Sequence, residues 1–322
     1  MWFAANDRVT DGGRSAMVRF WLLKSVRTLI TLLFVVTFTF VVLRTSGDPV
    51  QSLLGPDATN EEIAQFRSEW GLDRSLAEQY ILYAGNVARG EFGKSYRDGR
   101  PVLDIVLERV PATLLLGLTA YALSVLLGVP AGIIAALRRN SIIDRAIMSF
   151  AVMGFALPNF FLGILLILLF SLYLQWLPSS GIGTLAHLVM PAVTLGVFSA
   201  GTIARFTRSA MLETLSKLYM RAAAAKGAPP LYRILRHALP NAAIPVVTIL
   251  GLNLGALIGG AIVVETVFAW PGVGRLLVTA TSARDLALVQ ALVLLLAATM
   301  VVANLVVDLL YGVLDPRIRT GR

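Results

Sequence analysis

Apolar positions along this chain do not alternate with polar ones over short periods. They gather into blocks, at residues 26–43, 113–137, 146–174, 187–205, 242–268 and 286–314. Each block holds about 20 helical residues, enough to cross roughly 30 Å of hydrocarbon. The pattern predicts an all-α polytopic membrane protein with six transmembrane helices. Pro130 and Pro158 interrupt two of the runs, which membrane helices tolerate when neighbours satisfy the freed carbonyls. The first run is longer than the roughly 7–15 apolar residues of a signal peptide. Leu43-Arg44-Thr45 is also a poor small-x-small cleavage site, so the run reads as an uncleaved first span.

The one extended polar region, 45–110, carries its own helix signals. Thr59-Asn60-Glu61-Glu62 and Ser75-Leu76-Ala77-Glu78 have capping-box spacing, with Gly71 and Gly90 placed as stops. A third short helix starts at Pro101, with Val102, Ile105 and Val106 on one side. Helices this short cannot span a bilayer. They predict a small helical cap on the outer surface; composition alone would also suit a mobile loop.

Composition agrees with a membrane chain: 57% hydrophobic, 15% charged, mean hydropathy +0.75. The formal net charge is +9, which in a soluble protein would point to nucleic acid. Here the basic residues flank apolar runs. Arg138, Arg139 and Arg145 lie between runs two and three, and Arg205, Arg208, Lys217, Arg221, Lys226, Arg233 and Arg236 between four and five. Both termini inside is the arrangement that puts these loops on one side. Cysteine is absent, which excludes disulfides, thiolate metal sites and cysteine nucleophiles. His187 and His237 fall on opposite predicted sides, and no H-E-x-x-H occurs. Gly90-Glu91-Phe92-Gly93-Lys94-Ser95 fails as a phosphate loop, because Ala88 stands where its first glycine belongs. An intramembrane enzyme and a passive channel are left as remote alternatives.

Between runs four and five lies Tyr219-Met220-Arg221-Ala222-Ala223-Ala224-Ala225-Lys226-Gly227, continuing to Arg236-His237-Ala238-Leu239-Pro240. Its alanines favour helix, Gly227 is placed to stop it, and Pro229-Pro230 keep it from resuming at once. A second short helix is expected to end near Pro240. On residues alone, this is either a loop held inside by its charge or a docking element. The stretch resembles the EAA loop of ABC-importer permeases, E-A-A-x3-G-x9-I-x-L-P. Ala222, Ala223, Gly227, Leu239 and Pro240 fall in register. Arg221 and His237 depart from the general pattern but suit the dipeptide/oligopeptide/nickel branch, as do Tyr219, Ala225 and Lys226.

Other landmarks of that branch follow in order: Gly47-Asp48-Pro49, Gly71-Leu72-Asp73, the Gly90–Ser95 motif, Arg100-Pro101-Val102, Pro111-Ala112-Thr113, Val263-Val264-Glu265 through Trp270-Pro271-Gly272, and Asp315-Pro316-Arg317. The resemblance, covering nearly everything after Val26, is to the first of the two permease types of that branch. It implies the type I importer permease fold, divided as a cytoplasmic N-terminus (1–25), a first span (26–44), an extracytoplasmic segment (45–110), a core (111–314) with a coupling loop at 213–240, and a cytoplasmic tail (315–322). It implies coupling through Arg221, Ala222, Ala223, Lys226 and Gly227. It implies a second homologous permease, two ATP-binding subunits that hold the ATP and magnesium, and an extracytoplasmic substrate-binding protein. No catalytic residue, cofactor, metal or nucleic acid is expected in this chain. Peptides are the first substrate expected; nickel or metal chelates, glutathione and other small solutes are alternatives.

Within the runs, Gly251, Gly255 and Gly259 form a helix ridge for close packing, as do Gly128 and Gly132. Asn253 is the candidate for the translocation path, although an interhelical hydrogen bond is the commoner fate of such a residue. Glu265 and Asp308 are expected to be solvated at the two interfaces.

Overall fold

The computed structural model describes residues 6–45, 50, 54 and 58–314. Side chains are described from residue 24 on, apart from 155, 254–259 and 306–314. Among the described residues the regular structure is helical: α1 (Asn6–Thr45), α2 (Asn60–Glu69), α3 (Leu76–Ala88), α4 (Val102–Leu137), α5 (Ile142–Ala156), α6 (Asn159–Leu166), α7 (Leu185–Ser216), α8 (Leu218–Ala225), α9 (Pro230–Arg233), α10 (Leu239–Val267), α11 (Val273–Ser282) and α12 (Leu286–Leu314). α6 continues as a π-helix over Ile167–Tyr173, and α9 runs into α10 through π-helical Ile234–Ala238.

Five stretches are long and apolar enough to cross a membrane: Lys24–Thr45, Val102–Leu137, Leu185–Ser216, Pro230–Asn253 and Leu286–Leu305. A sixth exists if Ile142–Gly154 and Asn159–Tyr173, bent by 102° at their break, count as one span. The third apolar run is therefore not the single helix its pattern predicts. Leu157 is extended (φ −86°, ψ 129°) and Pro158 begins the next helix, as expected where proline disfavours helix in the residue before it. Pro130, by contrast, lies within unbroken α4.

The described residues divide into two compact units, one of those up to 111 with 272–301, the other of 112–271 with 302–314. In the second unit α7 is the central helix. Leu188, Met190, Leu195 and Ile203 are buried along it. Its neighbours approach through glycine. A β-carbon on Gly128 would lie 2.7 Å from the Ala200 carbonyl oxygen, and one on Gly132 would lie 2.5 Å from that of Ala204. Gly196 offers the reverse fit against Ala120 (2.9 Å), and Gly201 meets Ala151 of α5 (2.8 Å). The predicted ridge of Gly128 and Gly132 is thus a close helix–helix contact. Gly251 is buried in α10, whereas Gly255 and Gly259 lie outside the described side chains.

Two landmark motifs of this unit meet each other. The Trp270 indole N–H donates to the Ala112 carbonyl at 2.9 Å, and the Thr113 hydroxyl donates to Glu265 at 2.6 Å. Glu265 is fully buried, not solvated at an interface; a hydroxyl donor inside the protein takes the place of water. Asp308 lies outside the described side chains.

In the first unit both predicted capping boxes form, Thr59 with Glu62 and Ser75 with Glu78. Gly71 (φ +62°) and Gly90 (φ +78°) end α2 and α3 as predicted. The expected short helix at Pro101 does not stop. It runs on through Pro111 as the first turns of α4, packing Val102, Ile105 and Val106 against Val273, Leu288 and Leu292. The failed phosphate-loop motif has a structural use: the Ser95 hydroxyl and the Tyr96 N–H both donate to Asp285, which also accepts from the Leu288 N–H at the start of α12.

Candidate functional site

The segment between α7 and α10 is built as two short helices around one sharp stop. α7 ends where Lys217 turns extended (ψ 151°), and α8 begins immediately. α8 lasts eight residues. Gly227 then takes φ +78°, its N–H donating to Ala224 at 3.0 Å, while the Ala228 N–H donates to Ala223 at 3.1 Å. This pair of bonds is the Schellman closure that a left-handed glycine permits. Pro229 is extended and Pro230 occupies the first position of α9, where a missing N–H costs nothing.

The second short helix does not end near Pro240 as its sequence suggests. It continues through the π-helical turn into α10, with Pro240 in the first turn of that helix. A wider turn relieves the clash between a proline ring and the carbonyl four residues back.

One side chain seats α8. Met220 is 5% exposed and joins Ala136, Met211, Ala238, Ala242 and Val246 in a core cluster. The predicted residues lie elsewhere on the helix and at its C-terminal stop. Arg221, Ala222, Lys226 and Gly227 are exposed, and Ala223 is half-buried. Apolar residues are exposed beside them: Leu218 at 80%, with Tyr219, Leu231, Tyr232 and Leu235. The Tyr232 and His237 rings meet edge to face at 5.6 Å. At the entry to α8 the Lys217 ammonium donates to Glu213 at 2.9 Å, and this bond raises the lysine above its usual pKa.

A cavity of about 270 Å³ opens between α8, α9 and the end of α4, bounded by Leu137, Met220, Arg221, Ala224, Pro230 and Arg233. Arg233 Nε is buried there and makes no hydrogen bond among the described residues. The arrangement is a small hairpin seated by methionine, with exposed apolar and cationic groups. It suits docking to a protein surface, not chemistry. No group of three or more His, Cys, Asp or Glu that could hold a metal occurs among the described residues.

Asn253 lies elsewhere, half-buried on α10. Its amide donates to the Ile249 carbonyl of its own helix at 2.9 Å, so that bond is intrahelical.

Sequence reasoning missed Met220, because Leu218-Tyr219-Met220 offers three apolar neighbours and no period to choose among them. It also missed Asp144. Arg208 grips this carboxylate with two bonds of 2.6 and 2.7 Å, and the Asn140 N–H adds a third at 2.9 Å. The pair ties the α4–α5 turn to α7. Its partners stand 64 residues apart, and no local signal links them.

Comparison with known proteins gives a consistent picture. The family model for the binding-protein-dependent transport system inner membrane component matches residues 128–320, and that for its N-terminal part matches 17–117. The chain is 44% identical over 302 residues to the glutathione transport system permease protein GsiC of Escherichia coli, covering 93% of this chain and 98% of that protein. It is 41% identical over 303 residues to the probable peptide ABC transporter permease protein y4tP of Sinorhizobium fredii, covering 91% and 97%. Among solved structures it is similar to a chain of the inward-facing MetNI methionine ABC transporter. That match has TM-score 0.57 and 20% identity, covering 66% of this chain and 97% of the other. An amino acid ABC transporter solved with histidines gives TM-score 0.52 and 17% identity, covering 65% and 94%. At such identities these structures share the fold.

Proposed function

We propose, from the premise that this chain belongs to the family of binding-protein-dependent transport system inner membrane components, that the α8–α9 hairpin couples it to ATP hydrolysis in partner subunits. The chain is the transmembrane permease subunit of an ATP-driven ABC importer. It is a multi-pass protein of the bacterial inner membrane and is not itself an enzyme. Such a subunit works with ATPase and substrate-binding partners.

The hairpin faces the cytoplasm, and the 45–110 segment faces outward, where it receives the binding protein. Two homologous permeases pair around a path to which Asn253 contributes, and two ATPase subunits bind the ATP and magnesium. Arg221 and Lys226 meet carboxylates or helix-end carbonyls of the ATPase. Ala222 and Ala223 allow close approach, and Gly227 ends the helix so that it projects. ATPase closure moves the hairpin and shifts the permease between outward-open and inward-open states. The observation that carries this reading is α8 itself: a helix seated by Met220 and otherwise presenting exposed apolar and basic side chains.

The substrate is a short peptide. Glutathione is a γ-linked tripeptide and the second relative is named a probable peptide permease, which supports a peptide substrate. The test is ATPase activity of the reconstituted complex with its binding protein, given a mixed dipeptide pool, glutathione, or a nickel chelate. Stimulation by peptides or glutathione supports the substrate class. Stimulation by the chelate alone keeps the permease and overturns the peptide assignment. Failure of any ATPase subunit to bind the chain overturns the coupling reading.

A further inference from the structure

The polar segment after α1 contains two helices of different character. α2 reads Asn-Glu-Glu-Ile-Ala-Gln-Phe-Arg-Ser-Glu, with charge along its length. α3 has one charged residue in thirteen, Glu78, whose carboxylate caps its own helix by accepting from the Ser75 N–H at 3.1 Å.

The place where α3 packs is unexpected for a surface cap. The Tyr80 hydroxyl lies 2.7 Å from that of Thr37, and Phe40 of α1 meets the rings of both Tyr80 and Tyr83 at 5.4 and 5.8 Å. Thr37 and Phe40 belong to the membrane-crossing part of α1. Arg44 is the first charged residue after that apolar run. Thr37 precedes it by seven positions, about 10 Å along a helix. The Tyr80 hydroxyl therefore reaches hydrocarbon depth, where a polar group needs a protein partner, and Thr37 is that partner.

The rest of α3 fits the same depth. Tyr80, Tyr83 and Val87 lie toward α1. Ala77, Ile81, Ala84 and Ala88 follow at the i, i+4, i+7, i+11 spacing of one flank, with Ile81 68% exposed. Glu78 and Asn86 lie on the opposite flank. Ala77, Ile81 and Ala88 of this flank are exposed and Ala84 is half-buried, and on α1 Leu33, Phe34, Phe38 and Val41 are exposed.

We propose that α3 is an interfacial membrane helix, with Ala77, Ile81, Ala84 and Ala88 seated among the acyl chains of the leaflet in which α1 ends. Lipid is the partner because the flank is uncharged and its helix packs against a spanning helix at acyl-chain depth. The inference rests on α1 crossing the membrane, not on the coupling role of the hairpin.

The natural absence of cysteine makes the test direct. Single spin labels are attached at Ile81→Cys, at Phe38→Cys in α1 and at Ala64→Cys in α2, before assembly with the partner subunits. The complexes are placed in phosphatidylethanolamine–phosphatidylglycerol vesicles, and collisions with oxygen and with a water-soluble nickel chelate are compared. The label at position 81 is expected to follow that at position 38, favouring oxygen and reading about 5–10 Å below the phosphates. Chelate access equal to that at position 64 would place α3 in water and overturn the proposal. Exclusion of both reagents would show a protein partner on this flank and also overturn it. Ala77→Cys, on the same flank, repeats the reading if the Ile81 variant fails to assemble.

Discussion

Gly227 offers the sharpest test of the coupling role proposed for the α8–α9 hairpin, because its backbone conformation separates from packing. Its φ of +78° lies in the left-handed region, and a β-carbon there would meet nothing within 4 Å. Gly227→Ala therefore introduces no clash, only the cost of a left-handed L-residue, about 1–2 kcal/mol. That is about a 5- to 30-fold shift in the equilibrium between the closed stop and an open one. α8 cannot run on instead, because Ala228 precedes Pro229 and is biased away from helix. The strain is relieved by fraying the last turn, which releases the Ala223 and Ala224 carbonyls. Asparagine tolerates the left-handed region better, so Gly227→Asn is expected to retain most coupling. Gly227→Pro cannot adopt the angle and lacks the N–H given to Ala224, and is expected to abolish it. The assay is substrate-stimulated ATPase activity of the assembled complex, normalised to the chain present in the membrane. The expected order is Gly, Asn, Ala, Pro, with membrane levels unchanged. Equal stimulation in all four would refute a coupling role for the stop. Activity that falls only in step with membrane level would show Gly227 serving assembly.

Met220→Ala removes the anchor of α8 and is expected to cost about 2–5 kcal/mol, as other large-to-small core changes do; limited proteolysis should then cut near residues 217–230 before the rest of the chain. Gly132→Ala places a carbon 2.5 Å from the Ala204 carbonyl and should lower the thermal midpoint in detergent. Gly117→Ala, in the same helix with nothing within 4 Å, should be neutral or stabilise by up to about 1 kcal/mol. Asp144→Asn weakens the paired grip on Arg208 and is expected to lower thermal stability, with partial recovery in an Asp144→Glu chain if charge outweighs exact geometry.

The features legible in the sequence are those with local causes. Capping boxes at Thr59 and Ser75 and glycine stops at Gly71, Gly90 and Gly227 all formed, because each joins groups only a few positions apart. Proline was less readable, since its effect depends on surroundings. Pro158 breaks a span, whereas Pro130 lies within unbroken α4, between Gly128 and Gly132, which contact α7 closely. Pro240 likewise failed to end a helix. The motif marked a segment that forms a hairpin, but only tertiary packing selects Met220 as its buried member. The Thr113–Glu265 and Asp144–Arg208 pairs span 152 and 64 residues, and nothing near either residue names its partner.

The glycine contacts around α7 carry a mechanical consequence. Gly128 and Gly132 receive α7, Gly196 receives α4, and Gly201 receives α5, each leaving no room for even one added carbon. Helices keyed together in both directions cannot slide past one another without separating. A displacement entering at Lys217, where α8 joins α7, would thus carry α4 and α5 with it as one lever arm. The block ends at the extended break of Leu157 and Pro158, where the helix ladder that would transmit the push is interrupted.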